Sequence, residues 1–198
     1  MARRLGVMGG TFDPIHHGHL LTAEEACWRF DLAEVVFVPT GQPWMKEHEV
    51  AAPAEDRYLM TVVATAGNPG FSVSRMEIER PGATHTVDTL RALRTAEGEG
   101  IELFFITGAD ALLSLDDWKE PEEVLRLAHI IAATRPGYDL SAHEEGGPRD
   151  HPNVTVMPIP ALAISSTDIR QRVAEGRPIR YLVPEGVAAW IEKAGLYR

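Results

Sequence analysis

The chain has 198 residues, 44% hydrophobic and 24% charged, with a formal net charge of −10. That length suits one domain, residues 1–198, with a substantial core, and the composition is ordinary for a soluble globular protein. The acidic balance argues against a nucleic-acid-binding surface, the lone Cys27 rules out an intrachain disulfide or a cysteine zinc framework, and no apolar run is long enough for a signal region or a membrane span, so a cytoplasmic protein is expected.

Short apolar runs alternate with amphipathic stretches, which predicts an α/β fold: a Rossmann-like, doubly wound parallel sheet with helices on both faces. The first strand, Leu5–Met8, enters a Gly9-Gly10 turn, and Thr11-Phe12-Asp13-Pro14-Ile15-His16-His17-Gly18-His19 then opens a helix over Gly18–Phe30. On that helix Leu20, Ala23, Ala26, Cys27 and Phe30 share the apolar face, while Glu24, Glu25 and Arg29 face away. Strand, glycine turn and helix start together make an anion site, because the first N–H groups of a helix lack intrahelical partners and its dipole favours negative charge there. Gly9 and Gly10 would let the main chain approach a phosphate, and His16 and His19 would add side-chain donors. Metal ligation and plain surface histidines are the other readings of the pair; zinc would need a further ligand that the sequence does not identify. His17 is expected to point elsewhere.

A second strand, Val35–Val38, leads to a loop over Thr40–Pro53 that carries Gly41, Pro43, Trp44 and Lys46. A helix over Ala54–Ala66, a strand over Phe71–Ile78, a helix over Thr86–Ala96 and a strand over Leu103–Thr107 follow. Asp110, just past that strand, reads as a cap of the next helix. Trp118 lies in the polar run Asp116-Asp117-Trp118-Lys119-Glu120 and lacks core periodicity, whereas Trp28 and Trp190 sit on amphipathic helices and read as core. The remaining elements are a helix over Pro121–Leu127, a strand over Ile130–Ala133, a Gly- and Pro-rich loop over Pro136–Pro152, a strand over Val154–Pro158, and helices over Ser166–Ala174 and Pro184–Lys193. A serine before a helical run is first of all an N-cap. Three consecutive hydroxyls, Ser165, Ser166 and Thr167, with Arg170 one turn on, also suit phosphate oxygens.

Gly-Gly-Thr-Phe-Asp-Pro-x-His-x-Gly-His resembles the signature of the nucleotidyltransferases that share a class I aminoacyl-tRNA synthetase-like catalytic fold. More narrowly, the chain resembles the nicotinate-nucleotide adenylyltransferases of bacterial NAD biosynthesis, and within them the actinobacterial branch. The segments Pro39–Lys46, Thr84–Leu90, Gly108-Ala109-Asp110 with Trp118, Ile164–Arg170 and Tyr181–Arg198 agree in order.

The resemblance implies a transfer of AMP from ATP to nicotinate mononucleotide, with Mg²⁺ carried on the phosphates of ATP and no metal site on the protein itself. His16, His19, Arg170 and Lys46 would be catalytic. Gly9, Gly10, Thr11, Phe12, Gly18, Gly108, Asp110, Arg135, Ser165, Ser166 and Thr167 would bind ATP, with Asp110 accepting from the ribose and the turn at Arg135 beside the adenine. Asp13, Trp44, Thr84, His85, Thr86 and Trp118 would form the mononucleotide pocket, with Trp118 stacked on the pyridine ring. The departures are His85, where relatives commonly carry tyrosine, and Trp44-Met45, where they often carry proline and histidine. The alternatives are an adenylyltransferase using nicotinamide mononucleotide or phosphopantetheine, and a nucleotide-binding module without chemistry. Phosphopantetheine enzymes are usually shorter and lack the Trp-bearing segment. No nucleic acid or membrane partner is expected, and a homo-oligomer is left open.

Overall fold

Strand β1, Arg3–Gly10, buries Leu5, Gly6, Val7 and Met8 in succession. Successive strand residues point to opposite faces, so such a run means a sheet covered on both sides. The computed structural model describes residues 2–43, 50–98, 100–134, 150–160 and 162–198. In chain order the elements are β1, α1 (His17–Phe30), β2 (Glu34–Pro39), β3 (Gln42–Pro43), α2 (Ala54–Thr65), β4 (Phe71–Val73), β5 (Ala83–Thr84) and α3 (Thr86–Glu97). They continue with β6 (Ile101–Gly108), α4 (Ala109–Leu113), a 3-10 turn (Leu115–Asp117), α5 (Pro121–Leu127), β7 (Ala128–Thr134), β8 (Val154–Pro158), α6 (Ser166–Ala174) and α7 (Glu185–Ala194).

Among the described residues the main sheet has six strands in the order β4-β2-β1-β6-β7-β8, and β3 pairs with β5 separately. Numbered by their own succession, the six strands read 3-2-1-4-5-6, the doubly wound order of nucleotide-binding folds. The order reverses between β1 and β6, which run parallel with Leu5 opposite Leu103. In such sheets ligands gather outside the carboxyl ends of the strands at this reversal. β1 leads along the chain into the Asp13 turn, and β6 into Gly108–Asp110.

The chain divides into two compact units. The first holds Met1–Gly9, Thr22–Val35 and His85–Ala161. In it β6, β7 and β8 pair in parallel, Ile130, Ile131 and Ala132 are fully buried, and α3 and α5 pack together over Val87, Leu90 and Val124. The second holds Gly10–Leu21, Val36–Thr84 and Leu162–Arg198. There α2 packs on α7; Met60, Val187 and Ile191 are buried, and the Trp190 Nε1–H donates to Asp56 at 2.9 Å.

Several expectations change. Trp28 is 82% exposed and not core. The buried stripe of α1 is Thr22, Ala23 and Ala26, and a residue two places past Ala26 falls on the opposite side of a helix. Leu20, Cys27 and Phe30 are half-buried, as is Trp190. The strand expected over Phe71–Ile78 stops at Val73. Beyond it the Ser74 hydroxyl takes the Met76 N–H, and Arg75 turns outward onto Glu55 and Glu79, so side-chain bonds replace the ladder. Gly9 and Gly10 are not a turn but the end of β1, where the Gly10 carbonyl still accepts the Thr40 N–H at 2.9 Å. The pairs β3 and β5, and the short α4, carried too few residues to show a period.

Candidate active site

The signature folds back on itself in the second unit. Asp13 is only 3% exposed. Its Oδ2 accepts the Ala51 N–H at 2.8 Å, and its Oδ1 accepts the Ala52 N–H at 3.1 Å and the Tyr197 hydroxyl at 2.7 Å. The carboxylate is therefore spent inside the protein. Asp13 holds the loop in shape, and the mononucleotide contact expected of its side chain is not what this geometry supports. Phe12 adopts a left-handed φ of 48° and buries its ring, edge-on to His19 at 5.2 Å. It supports an imidazole from below.

His16 and His19 stack, with ring centroids 3.7 Å apart and planes 24° from parallel. His16 is 6% exposed, whereas His19 is more open. The His16 main-chain N–H donates to His19 Nδ1 at 3.2 Å. An Nδ1 that accepts leaves the proton of a neutral imidazole on Nε2, so His19 presents an Nε2–H donor. Gly18 packs closely here: a Cβ on it would sit 3.0 Å from the His16 ring, so the imidazole would have to shift to admit one. The His17 main-chain N–H donates to the Leu182 carbonyl at 3.1 Å.

That last bond corrects the simple helix-mouth picture. The His17 N–H goes to Leu182, the His16 N–H to His19 Nδ1, and the His19 N–H to the His16 carbonyl. The start of α1 thus has fewer main-chain donors to offer an anion than its sequence suggests, and the imidazoles become its main chemistry.

The start of α6 faces the same loop. Ser165 is the N-cap, its Oγ accepting the Asp168 N–H at 3.1 Å. Ser166 Oγ donates to the Pro14 carbonyl at 2.9 Å, so this hydroxyl fastens the signature loop and does not wait for a phosphate. The first-turn N–H groups of Ser166 and Thr167 are ones no intrahelical carbonyl can reach. Arg170 Nη1 donates to the Asp13 carbonyl at 2.9 Å and lies 3.9 Å from Asp13 Oδ2, while Nη2 donates to Thr167 Oγ1 at 3.4 Å. The start of α6, with Thr167 and Arg170, is therefore fastened to the loop that leads into the histidines, within one unit.

Arg57 belongs to this constellation, although periodicity alone makes it part of a plain amphipathic helix. It is 1% exposed. Its guanidinium donates to the carbonyls of Thr11 at 2.7 Å, Gly41 at 3.0 Å and Ala52 at 3.2 Å, tying three segments together. Burial pulls its pKa down, and the neighbouring Asp13, Tyr197 and Glu77 oppose that. Gly41 must be glycine, because a Cβ there would stand 2.1 Å from the Glu77 carbonyl oxygen. Thr84 is also structural: it is buried, with Oγ1 donating to the Gln42 carbonyl at 3.2 Å. The signal that could have exposed Arg57 was an arginine on the buried face of α2, with Met60, Thr61 and Thr65, where a long cation must find carbonyls or a carboxylate.

In the first unit, β6 ends at Gly108, and Asp110 is exposed in the first turn of α4, whose N-cap is Gly108. The capping role weighed for Asp110 is thereby removed. Trp118 follows the 3-10 turn, half-buried, with its ring edge-on to Phe105 at 5.8 Å. Next to it Lys119 pairs with Asp88 at 2.9 Å and Glu120 with Arg91 at 2.6 Å. Thr86 opens α3 with His85 at its N-cap position, both half-buried. Trp44, Lys46 and Arg135 lie outside the described residues.

Residues 7–172 match the family described as cytidylyltransferase-like. The chain is 57% identical over 199 residues to a probable nicotinate-nucleotide adenylyltransferase of Acidothermus cellulolyticus, spanning 98% of this chain and 94% of the relative. It is 59% identical over 191 residues to a probable nicotinate-nucleotide adenylyltransferase of Streptomyces coelicolor, spanning 96% of this chain and 99% of the relative. Among solved structures it is similar to the Plasmodium falciparum nicotinic acid mononucleotide adenylyltransferase complexed with NaAD, with a TM-score of 0.81 at 19% identity over 98% of this chain and 97% of the other. At that identity the likeness speaks for the fold.

Proposed function

The chain belongs to the cytidylyltransferase-like family, and from that membership we propose that it transfers the adenylyl group of ATP to nicotinate mononucleotide, the nicotinate-nucleotide adenylyltransferase reaction of NAD biosynthesis. A phosphate oxygen of the mononucleotide attacks the α-phosphorus of ATP in line. The bond from that phosphorus to the bridging oxygen breaks, giving nicotinate adenine dinucleotide and pyrophosphate. No protein nucleophile is needed, so the work is positioning and charge stabilisation.

The observation that carries the reading is the 2.9 Å bond from Arg170 to the Asp13 carbonyl, which fixes the start of α6 on the loop that bears the stacked histidines. That arrangement suits a triphosphate. The His19 Nε2–H and the Arg170 fork donate charge-assisted bonds to phosphate oxygens, and the first-turn N–H groups of α6 add the favourable end of a helix dipole. Among the described residues no three His, Cys, Asp or Glu side chains gather to hold a metal ion. Mg²⁺ would be carried on the phosphates of ATP, held by phosphate and water oxygens, and would supply neutralisation of the triphosphate charge. Asp110, exposed past β6, is suited to accept from ribose hydroxyls, and Trp118 to lie against an aromatic base. Thr86, at the start of α3, is proposed for the pyridine carboxylate.

The test is pyrophosphate release from ATP with nicotinate mononucleotide, nicotinamide mononucleotide or phosphopantetheine as acceptor. The expected order puts the nicotinate form first in kcat/KM. Preference for another acceptor, or ATP binding without turnover on any, overturns the assignment.

A further inference from the structure

Tyr197 lies in the segment after α7, where nothing in the sequence singles it out for chemistry. Its hydroxyl donates to Asp13 Oδ1 at 2.7 Å, across a separation of 184 residues in the chain. Burial, reinforced by the charge of Asp13, holds its pKa well above the ordinary phenol value, so it stays a donor throughout any working pH. Together with the Ala51 and Ala52 N–H groups it saturates one carboxylate from three directions. A side chain held this way cannot rotate, and its own main chain is held with it. That main chain supplies the carbonyl on which Arg170 Nη1 rests at 2.9 Å.

We propose that Tyr197 is a positioning residue for adenylyl transfer: by locking the Asp13 side chain it locks the Asp13 carbonyl, and thereby aims the Arg170 guanidinium at the triphosphate. The inference rests on the function proposed above. Tyr197 does not touch substrate in this scheme; it acts through Arg170. A tyrosine that only anchored the segment after α7 would change stability without changing how ATP is held.

ATP affinity measured by calorimetry on the wild-type chain, Tyr197→Phe, Arg170→Ala and the double variant separates the two. Tyr197→Phe keeps the ring and removes one hydroxyl, and circular dichroism melts establish that each variant is folded. The expected result is about tenfold weaker ATP binding for Tyr197→Phe, the scale of one hydrogen bond to a charged group. The same substitution in the Arg170→Ala background should cost less than about twofold, because the coupled partner is already gone. In pyrophosphate release, KM for the mononucleotide stays within about twofold while kcat/KM for ATP falls about tenfold. Equal losses in both backgrounds overturn the proposal, as does a lowered melting temperature with ATP affinity unchanged. Absence of pyrophosphate release by the wild-type chain would count against the function, while the coupling would still be read from ATP affinity alone.

Discussion

At the residue scale, the site separates side chains that can meet a ligand from those that hold them in place. His19 and Arg170 are of the first kind. His19→Ala and Arg170→Ala should each lower kcat by about 10²- to 10³-fold, the usual loss when one donor to a charged transition state is removed. Steady-state kinetics on folded variants check this, and near-normal turnover would take the residue off the list. Arg57 is of the second kind. Arg57→Met would leave the carbonyls of Thr11, Gly41 and Ala52 without their shared donor and Asp13 with Arg170 as its remaining neighbouring cation. A destabilisation of about 3 kcal/mol is expected, read from the denaturant midpoint. A shift well under 1 kcal/mol would mean that water replaces the guanidinium.

Among the elements, α6 shows how one motif serves two purposes. The run Ser165-Ser166-Thr167 reads as a phosphate clamp, yet in the fold Ser165 caps the helix and Ser166 holds Pro14. Ser165→Ala should cost about 1 kcal/mol in thermal or chemical unfolding, as lost N-caps do. The junction of β7 and β8 carries a pH dependence. His129 donates to or accepts from Thr155 at 2.8 Å, beside the rings of Phe30 and Phe104, and burial holds its pKa below the ordinary imidazole value. The unfolded chain binds a proton near pH 6.5 where the native one does not. Stability is therefore full above that pH and declines as pH falls below it, until the native imidazole also protonates. Unfolding measured between pH 5 and 8 should show the decline, and His129→Gln should flatten it.

On the scale of the whole molecule, a net charge of −10 and a polyanionic substrate pair are reconciled locally. Stacked imidazoles, a guanidinium and the start of a helix concentrate hydrogen-bond donors around the signature loop, whatever the overall balance. A ligand held so should stabilise the folded chain by mass action, by about 2.7 kcal/mol at a hundredfold excess over Kd. Melting curves with and without ATP and Mg²⁺ test this, and Arg170→Ala should abolish most of the shift.

Read along the chain alone, the residues already specify the alternation of strands and helices, the ends of α5, β8 and α6 to the residue, the signature from Gly9 to His19, and the family. These are local: each rests on periodicity, capping chemistry or a contiguous motif, which neighbours along the chain express without knowing the fold. Three-dimensional packing is what puts Trp28 outside, ends the strand after Phe71 at Val73, and turns Asp13 inward to meet Ala51, Ala52 and Tyr197. It alone recruited Arg57 and Tyr197 to the site. The reason is physical: a buried charge or hydroxyl is placed by whichever distant carbonyl or carboxylate can satisfy it, and that partner is a property of packing, not of spacing.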